Sequence, residues 1–198
     1  MGRSFFSPSE TGIYLSILQK TDKALSDIVC VTSAAAVAVS RAIETVTGVR
    51  VKIKWVNDLY FNGKKVCGIL AESFVCGEDR YMVIGVGVNL CVEKFPEELE
   101  NIAGALPNFD ISRKRELIAQ IIRELYIATS KLSSYDFIDE YRKHSLVLGK
   151  KIMFTENGIS KEGIADAIDE KGRLLIKGED SKITVLSGGE ISLRLLNI

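Results

Sequence analysis

Neither charge sign is in excess in this chain: Lys+Arg and Asp+Glu number 26 each among 198 residues. That balance gives no long-range pull toward nucleic acid or an anionic membrane surface. Histidine is almost absent, His144 being the only one, and the four cysteines (Cys30, Cys67, Cys76 and Cys91) form no CxxC pair. A zinc centre needs closely spaced Cys and His ligands, so a zinc protein is a poor reading. The cysteines are expected to stay free and to pack as small hydrophobes in a reducing compartment. No apolar run approaches the roughly 18–20 residues of a membrane span. The first residues lack the basic and then apolar regions of a signal peptide. Phe6 stands where a myristoylation signal carries a hydroxyl. The expected location is the cytoplasm.

What is present is the composition of a globular protein, 46% hydrophobic and 26% charged. A chain of this length buries roughly 70% of its unfolded surface without staples. Residues 12–18 (GIYLSIL) predict a buried strand, and 26–47 a helix crowded with alanines and stopped by Gly48. Residues 49–55 alternate as a strand, with Val49, Val51, Ile53 and Trp55 on one face and Arg50, Lys52 and Lys54 on the other. Asn62-Gly63 predicts a hairpin turn between residues 59–61 and 66–71. Residues 81–90 (YMVIGVGVNL) are nearly all apolar and predict a central strand. Residues 111–132 predict an amphipathic helix with Leu117, Ile118, Ile121, Ile122 and Leu125 as its apolar stripe. Ser133 to Asp136 offers a capping box for a further helix ending near His144. Beyond Gly149 short strands alternate with turns at Asn157-Gly158, Lys171-Gly172 and Ser187-Gly188-Gly189, which predicts a small antiparallel barrel and a domain boundary near residue 148.

Several residues could carry chemistry. Lys54, a cation on a strand followed by Asn57 and Asp58, suits a carboxylate or phosphate, though a solvated strand lysine fits the same pattern. Gly68, Gly85 and Gly87 interrupt apolar strands; each fits either a flat ligand lying against backbone or a bulge. Gly85-x-Gly87 lacks the third glycine and the helix of a dinucleotide fingerprint. Asn89 can read the edge of a base or close a turn. Arg3 could hold a phosphate and Phe5 could stack on a purine. His144, near a helix end, reads as a surface or capping residue.

In order, these segments resemble the biotin–protein ligases. The family's KWPND[IL]Y segment stands as Lys54-Trp55-Val56-Asn57-Asp58-Leu59-Tyr60, with Val56 in place of proline. Its K[IL]GGIL segment stands as Lys65-Val66-Cys67-Gly68-Ile69-Leu70, followed by Glu72. Its V.G[IA]G[IV]N strand stands as Val83 to Asn89, and its terminal GE[IV]S[VL]R as Gly189 to Arg194. Residues 2–8 resemble the tail of its GRGR loop. By the resemblance the chain starts inside that loop, and the loop's first half and the Ser/Thr-rich biotin-contact strand that precedes it in the family are missing from this sequence. It also implies an α+β fold: a mixed sheet packed with helices, like class II synthetases, in residues 1–148, and a small SH3-like β-barrel in 149–198.

The implied activity is formation of biotinyl-5′-AMP from biotin and ATP with Mg²⁺, and transfer of biotin to a lysine of a biotin carboxyl carrier protein or domain. By the same resemblance Lys54 is catalytic. Arg3, Lys54, Gly68, Gly85 and Gly87 contact biotin, and Phe5, Asn57, Asp58, Asn89 and Arg194 contact ATP or the adenylate. No protein ligand for the metal is assigned. A homodimer is compatible with the family. No helix-turn-helix is seen, so no nucleic-acid partner is expected, and no membrane. The alternative is a truncated remnant that binds a nucleotide or a partner. The related lipoate ligases agree less well with KWVND and the C-terminal unit.

Overall fold

A computed structural model describes residues 8–21, 28–156, 158–187 and 194–195. Strand β1 spans Gly12–Thr21, helix α1 Ile28–Thr47, and strands β2 to β5 span Lys52–Lys54, Asp58–Phe61, Lys64–Cys76 and Asp79–Asn89. They form one five-stranded sheet in the order β1-β5-β4-β3-β2, antiparallel in every ladder. Among the described residues parallel pairing enters only at two isolated bridges, Ile53 with Ser145 and Lys65 with Ala103. Asn62 and Gly63 both have positive φ, 47° and 78°, as a two-residue hairpin turn requires.

One face of this sheet is the core. Ile13, Ile53, Leu59, Cys67, Ile69, Ile84, Val86 and Val88 are buried on it. Across them lies α1, whose alanines, with Val37, Val39 and Ile43, are buried on all sides, as expected of a helix between two layers. Helix α2 (Lys114–Ser130) covers α1 from outside, burying Leu117, Ile121, Leu125 and Thr129. The apolar stripe is narrower than its sequence suggests, since Ile122 is 47% exposed. The long predicted helix is also divided. A 3₁₀ turn at Ile111–Arg113, capped by Asp110, precedes α2, and another at Leu132–Ser134 follows it.

Other expectations are corrected. Strand β1 is an edge strand, not a buried one: only Gly12 and Ile13 are buried, and Leu18 is 62% exposed. The strand predicted over 49–55 shrinks to β2, because β3 offers ladder partners only to Lys52, Ile53 and Lys54. No capping box forms at Ser133. The Ser134 hydroxyl turns back to the Lys131 carbonyl, Tyr135 is left-handed (φ 55°), and helix α3 starts later, at Ile138–His144. Two of the cysteines, Cys30 and Cys67, are buried, but Cys76 and Cys91 are exposed.

The second sheet comprises β6 (Lys151–Glu156), β7 (Ile159–Ile168), β8 (Leu174–Lys177), β9 (Ile183–Leu186) and β10 (Arg194–Leu195), in the order β10-β6-β7-β8-β9. It shares one apolar core with the first unit, through Ile152, Phe154, Ala165, Ile168, Leu174, Ile176 and Leu186. Polar contacts also join them. Asp169 accepts from the backbone N–H groups of Lys171 and Arg173 and from the Arg173 guanidinium. This shapes a turn whose Gly172 carbonyl receives the buried Trp55 Nε1–H at 2.8 Å. The Arg142 Nε–H of α3 donates to the Ile168 carbonyl. Replacing Trp55 by Phe keeps an apolar ring but leaves that carbonyl unmet. The expected cost is about 1–3 kcal/mol, read as a lower urea midpoint at unchanged slope.

Candidate active site

The second face of the first sheet is not covered by α1 or α2, and the candidate residues lie on it. Directly opposed residues of an antiparallel ladder share a face. The registers therefore place Lys54 (β2), Asp58 (β3), Gly68 (β4), Gly87 (β5) and Tyr14 (β1) in one row across all five strands. The next row holds Leu70, Gly85 and Ser16. A Cβ on Gly85 would make only ordinary contacts, the nearest at 3.8 Å to the Leu70 carbonyl oxygen, so nothing crowds the backbone there. The result is a flat, glycine-floored surface with polar groups at its margins.

Two lysines reach this floor. Lys54 is half-buried, with its ammonium 5.4 Å from the centroid of the Tyr60 ring, a cation–π contact. No described carboxylate forms an ion pair with it. Burial lowers its pKa; Asp58 works against that shift and Lys65 adds to it. Burial also pushes the Tyr60 hydroxyl up to about 12, so the ring beneath Lys54 stays neutral. The second lysine, Lys65, was not among the sequence candidates. Its Nζ lies 2.6 Å from Asp58 Oδ1. It folds over Gly68 so closely that a Cβ there would stand 3.1 Å from Lys65 Cε and Nζ.

Lys65 reaches the floor through a bulge. In a regular strand, residues three apart point to opposite faces, so Lys65 would join Cys67 in the core. The β3–β4 register shifts between Leu59 and Tyr60: Leu59 opposes Cys67, and Tyr60 opposes Lys65. Val66 is the extra residue, and both it and Cys67 are buried. A bulge re-aims the side chain beside it, and here it turns Lys65 onto the face of Gly68 and Asp58. Tyr14 and Ser16 were likewise unassigned. Their signal was the β1 alternation, which needed the β1–β5 register to be placed.

The two asparagines face inward on backbone. Asn57 donates from Nδ2 to the Ile69 carbonyl at 2.6 Å, while its own carbonyl accepts from Ile69 N–H, so it ties the β2–β3 turn to β4. The next turn residue is held as well, by the Tyr141 hydroxyl donating to the Val56 carbonyl. Asn89 donates from Nδ2 to the Gly104 carbonyl at 2.8 Å. Arg3 and Phe5 lie outside the described residues, as does the side chain of Arg194, whose backbone pairs with Met153. His144 is half-buried at the end of α3, with Nδ1 3.4 Å from the Ser40 hydroxyl. It stands apart from the row.

A glycine floor with two ammonium groups and one carboxylate at its edge suits a flat anionic ligand. Residues 1–89 match the model of the Biotin/lipoate A/B protein ligase family, and residues 147–194 match the Biotin protein ligase C terminal domain. The chain belongs to the biotin protein ligase family. It is 30% identical over 210 residues to the bifunctional ligase/repressor BirA of Escherichia coli, covering 98% of this chain and 62% of that protein. It is 30% identical over 147 residues to the biotin–[acetyl-CoA-carboxylase] ligase of Mycobacterium tuberculosis, covering 72% of this chain and 53% of that protein. The chain thus spans less than two thirds of the length of these relatives. The apo biotin protein ligase of Aquifex aeolicus is similar at a TM-score of 0.81 and 26% identity, covering 94% of this chain and 83% of that one. The same enzyme in complex with biotin and ATP gives a TM-score of 0.80, covering 94% and 79%.

Proposed function

We propose that the chain catalyses biotin–protein ligation in two steps on the glycine-floored face. In the first, a biotin carboxylate oxygen attacks the α-phosphorus of ATP; the new P–O bond forms as pyrophosphate leaves, giving biotinyl-5′-AMP. In the second, the neutral ε-amine of a carrier-protein lysine attacks the acyl carbonyl, the C–O bond to AMP breaks, and the nitrogen loses a proton to solvent as the amide forms. Both steps bring negative charge onto oxygens. Preorganised cations in a partly dry site stabilise such charge more than water does. The observation that carries the proposal is the pair Lys54 and Lys65 at the edge of the row Asp58–Gly68–Gly87.

In this reading Lys54 and Lys65 flank the carboxylate and the α-phosphate. Gly68, Gly85 and Gly87 let biotin lie on backbone between Tyr14 and Ser16. Asp58 holds Lys65 until the anions arrive. Asn57 and Asn89 shape the adenylate side, and Arg3, Phe5 and Arg194 complete the contacts to biotin and ATP. Residues 1–148 carry the chemistry, and 149–198 form the second unit. Among the described residues no group of three His, Cys, Asp or Glu side chains could cage a metal. Mg²⁺ would accompany ATP and share the phosphate charge, with no residue of this chain assigned to it.

The partner is a biotin-accepting carrier domain of a carboxylase, and a homodimer is compatible with the exposed sheet edges. Neither nucleic acid nor membrane enters, consistent with the balanced charge, and the expected compartment is the cytoplasm. No described helix is long and apolar enough to cross a membrane. Lipoate is disfavoured by the match of residues 147–194 to a domain of biotin ligases. Calorimetric titration tests the assignment. Biotin is expected to bind, and more tightly with a non-hydrolysable ATP analogue present. Binding of lipoate or octanoate with no heat from biotin would overturn it.

A further inference from the structure

The ladder between β4 and β5 ends at the pair Cys67–Val88, so β5 offers no partner to Lys64, Lys65 and Val66 at the start of β4. The slot beside the first residues of β4 does not stay empty. The chain returns through residues 102–106 and lies parallel to β4 there. Lys65 N–H donates to the Ile102 carbonyl and Gly104 N–H to the Lys65 carbonyl, each at 2.8 Å. The returning segment is tied to the end of β5 as well. Asn89 Nδ2 donates to the Gly104 carbonyl at 2.8 Å, and Leu106 N–H to the Asn89 carbonyl at 3.0 Å. The Lys64 ammonium adds a bond to the Glu100 carbonyl.

We infer that Gly104 is a positioning residue: it lets residues 102–106 dock beside β4 and so locks the bulged register that aims Lys65 at the substrate face. Two facts make the lock specific. A Cβ on Gly104 would stand 2.8 Å from the Lys64 Cβ, a separation that real side chains do not adopt, so only glycine allows this approach. And the register it secures is not the default. Without the extra residue at Val66, Lys65 would point with Cys67 into the core, because a one-residue slip reverses the face of every side chain. The Lys65 backbone is bonded on this side by nothing else described. Asn89 therefore acts on Lys65 through the Gly104 peptide, which gives it a task beyond reading a base.

This inference rests on the assignment of Lys65 to the substrate face, and its test carries a readout independent of turnover. Protein labelled with ¹³Cε-lysine is compared as wild type, Gly104→Ala, Lys64→Gly, and Gly104→Ala with Lys64→Gly. The Lys65 resonance is assigned by Lys65→Arg. In wild type it is expected apart from the solvated lysines and to move when Asp58 is changed to Asn. In Gly104→Ala it is expected to join the solvated group, and adenylate formation to lose about 10²-fold in kcat, the scale of a misplacement near one ångström, with KM for biotin changed less than threefold. Adding Lys64→Gly removes the obstructing Cβ and is expected to restore both readouts to the level of Lys64→Gly alone. An unmoved Lys65 resonance in Gly104→Ala, with only the melting temperature lowered, would overturn the inference. A wild-type protein that makes no adenylate would count against the proposed function, and the resonance series would still decide the role of Gly104.

Discussion

Lys65→Ala is expected to slow adenylate formation by about 10²–10³-fold in kcat, the range for removing one preorganised group that stabilises transition-state charge. The ground for so large an effect is geometric. Lys65 is held by Asp58 at 2.6 Å, over a glycine, on a strand end bonded on both sides. A cation so fixed pays little reorganisation when anions arrive. Lys65→Arg keeps the charge but replaces the compact ammonium beside Asp58 by a broader, planar guanidinium. It is expected to recover less than a tenth of the activity. Asp58 loses its partner in Lys65→Ala, but its carboxylate, 24% exposed, can take water into the vacated place, so the fold is expected to survive. The measurement is single-turnover formation of biotinyl-AMP, which separates the chemical step from product release.

Lys54→Met is expected to slow the same step by a similar factor and yet to stabilise the protein. Lys54 is half-buried with no described ion pair, and burial lowers its pKa. The folded state therefore holds the charged form less well than the unfolded chain does. The sign follows: this cost is present in full below the folded pKa, and it disappears as pH rises past the ordinary lysine value near 10.4. Met keeps an unbranched stem over Tyr60 and removes the charge. At pH 7 the gain is expected to be on the order of 1 kcal/mol, typical for relief of a functional site, or about 2–4 °C in Tm for a chain of this size. Near pH 10 the gain should shrink. A variant that loses both activity and stability would show Lys54 to be a structural residue.

The two lysines also mark how far the sequence was legible. Lys54 could be found by alternation, since Val51, Ile53 and Trp55 are buried and Arg50 and Lys52 are exposed as the pattern requires. The Asn62-Gly63 turn and the Gly48 stop carry their conformations in their own residues, and both have the positive φ expected. Lys65 could not be found in this way. Its orientation depends on a bulge set by the pairing of β3 with β4 and by residues 102–106, which are distant in sequence. Period-2 counting from Gly68 puts it on the wrong face. The same limit explains β1. Seven mostly apolar residues suggest burial, but a strand at the sheet edge, with one uncovered face, buries few of them. At Ser133 the local capping pattern lost to a 3₁₀ turn that took up the Ser134 hydroxyl. Asn57, through the family resemblance, and Asn89, through its residue type as well, are expected to contact ATP or the adenylate. Their amides are engaged with backbone, so they build the frame that the ligand would meet.

The central claim is that two lysines on a glycine-floored sheet face activate biotin as an acyl-adenylate. One measurement tests it most directly: chromatographic detection of labelled biotinyl-AMP after mixing the protein with labelled biotin and MgATP, in wild type, Lys54→Ala and Lys65→Ala side by side. The expected result is one adenylate per wild-type protein molecule, and a rate lowered by at least about 10²-fold in each variant. Adenylate formed at the wild-type rate in both variants would contradict the account.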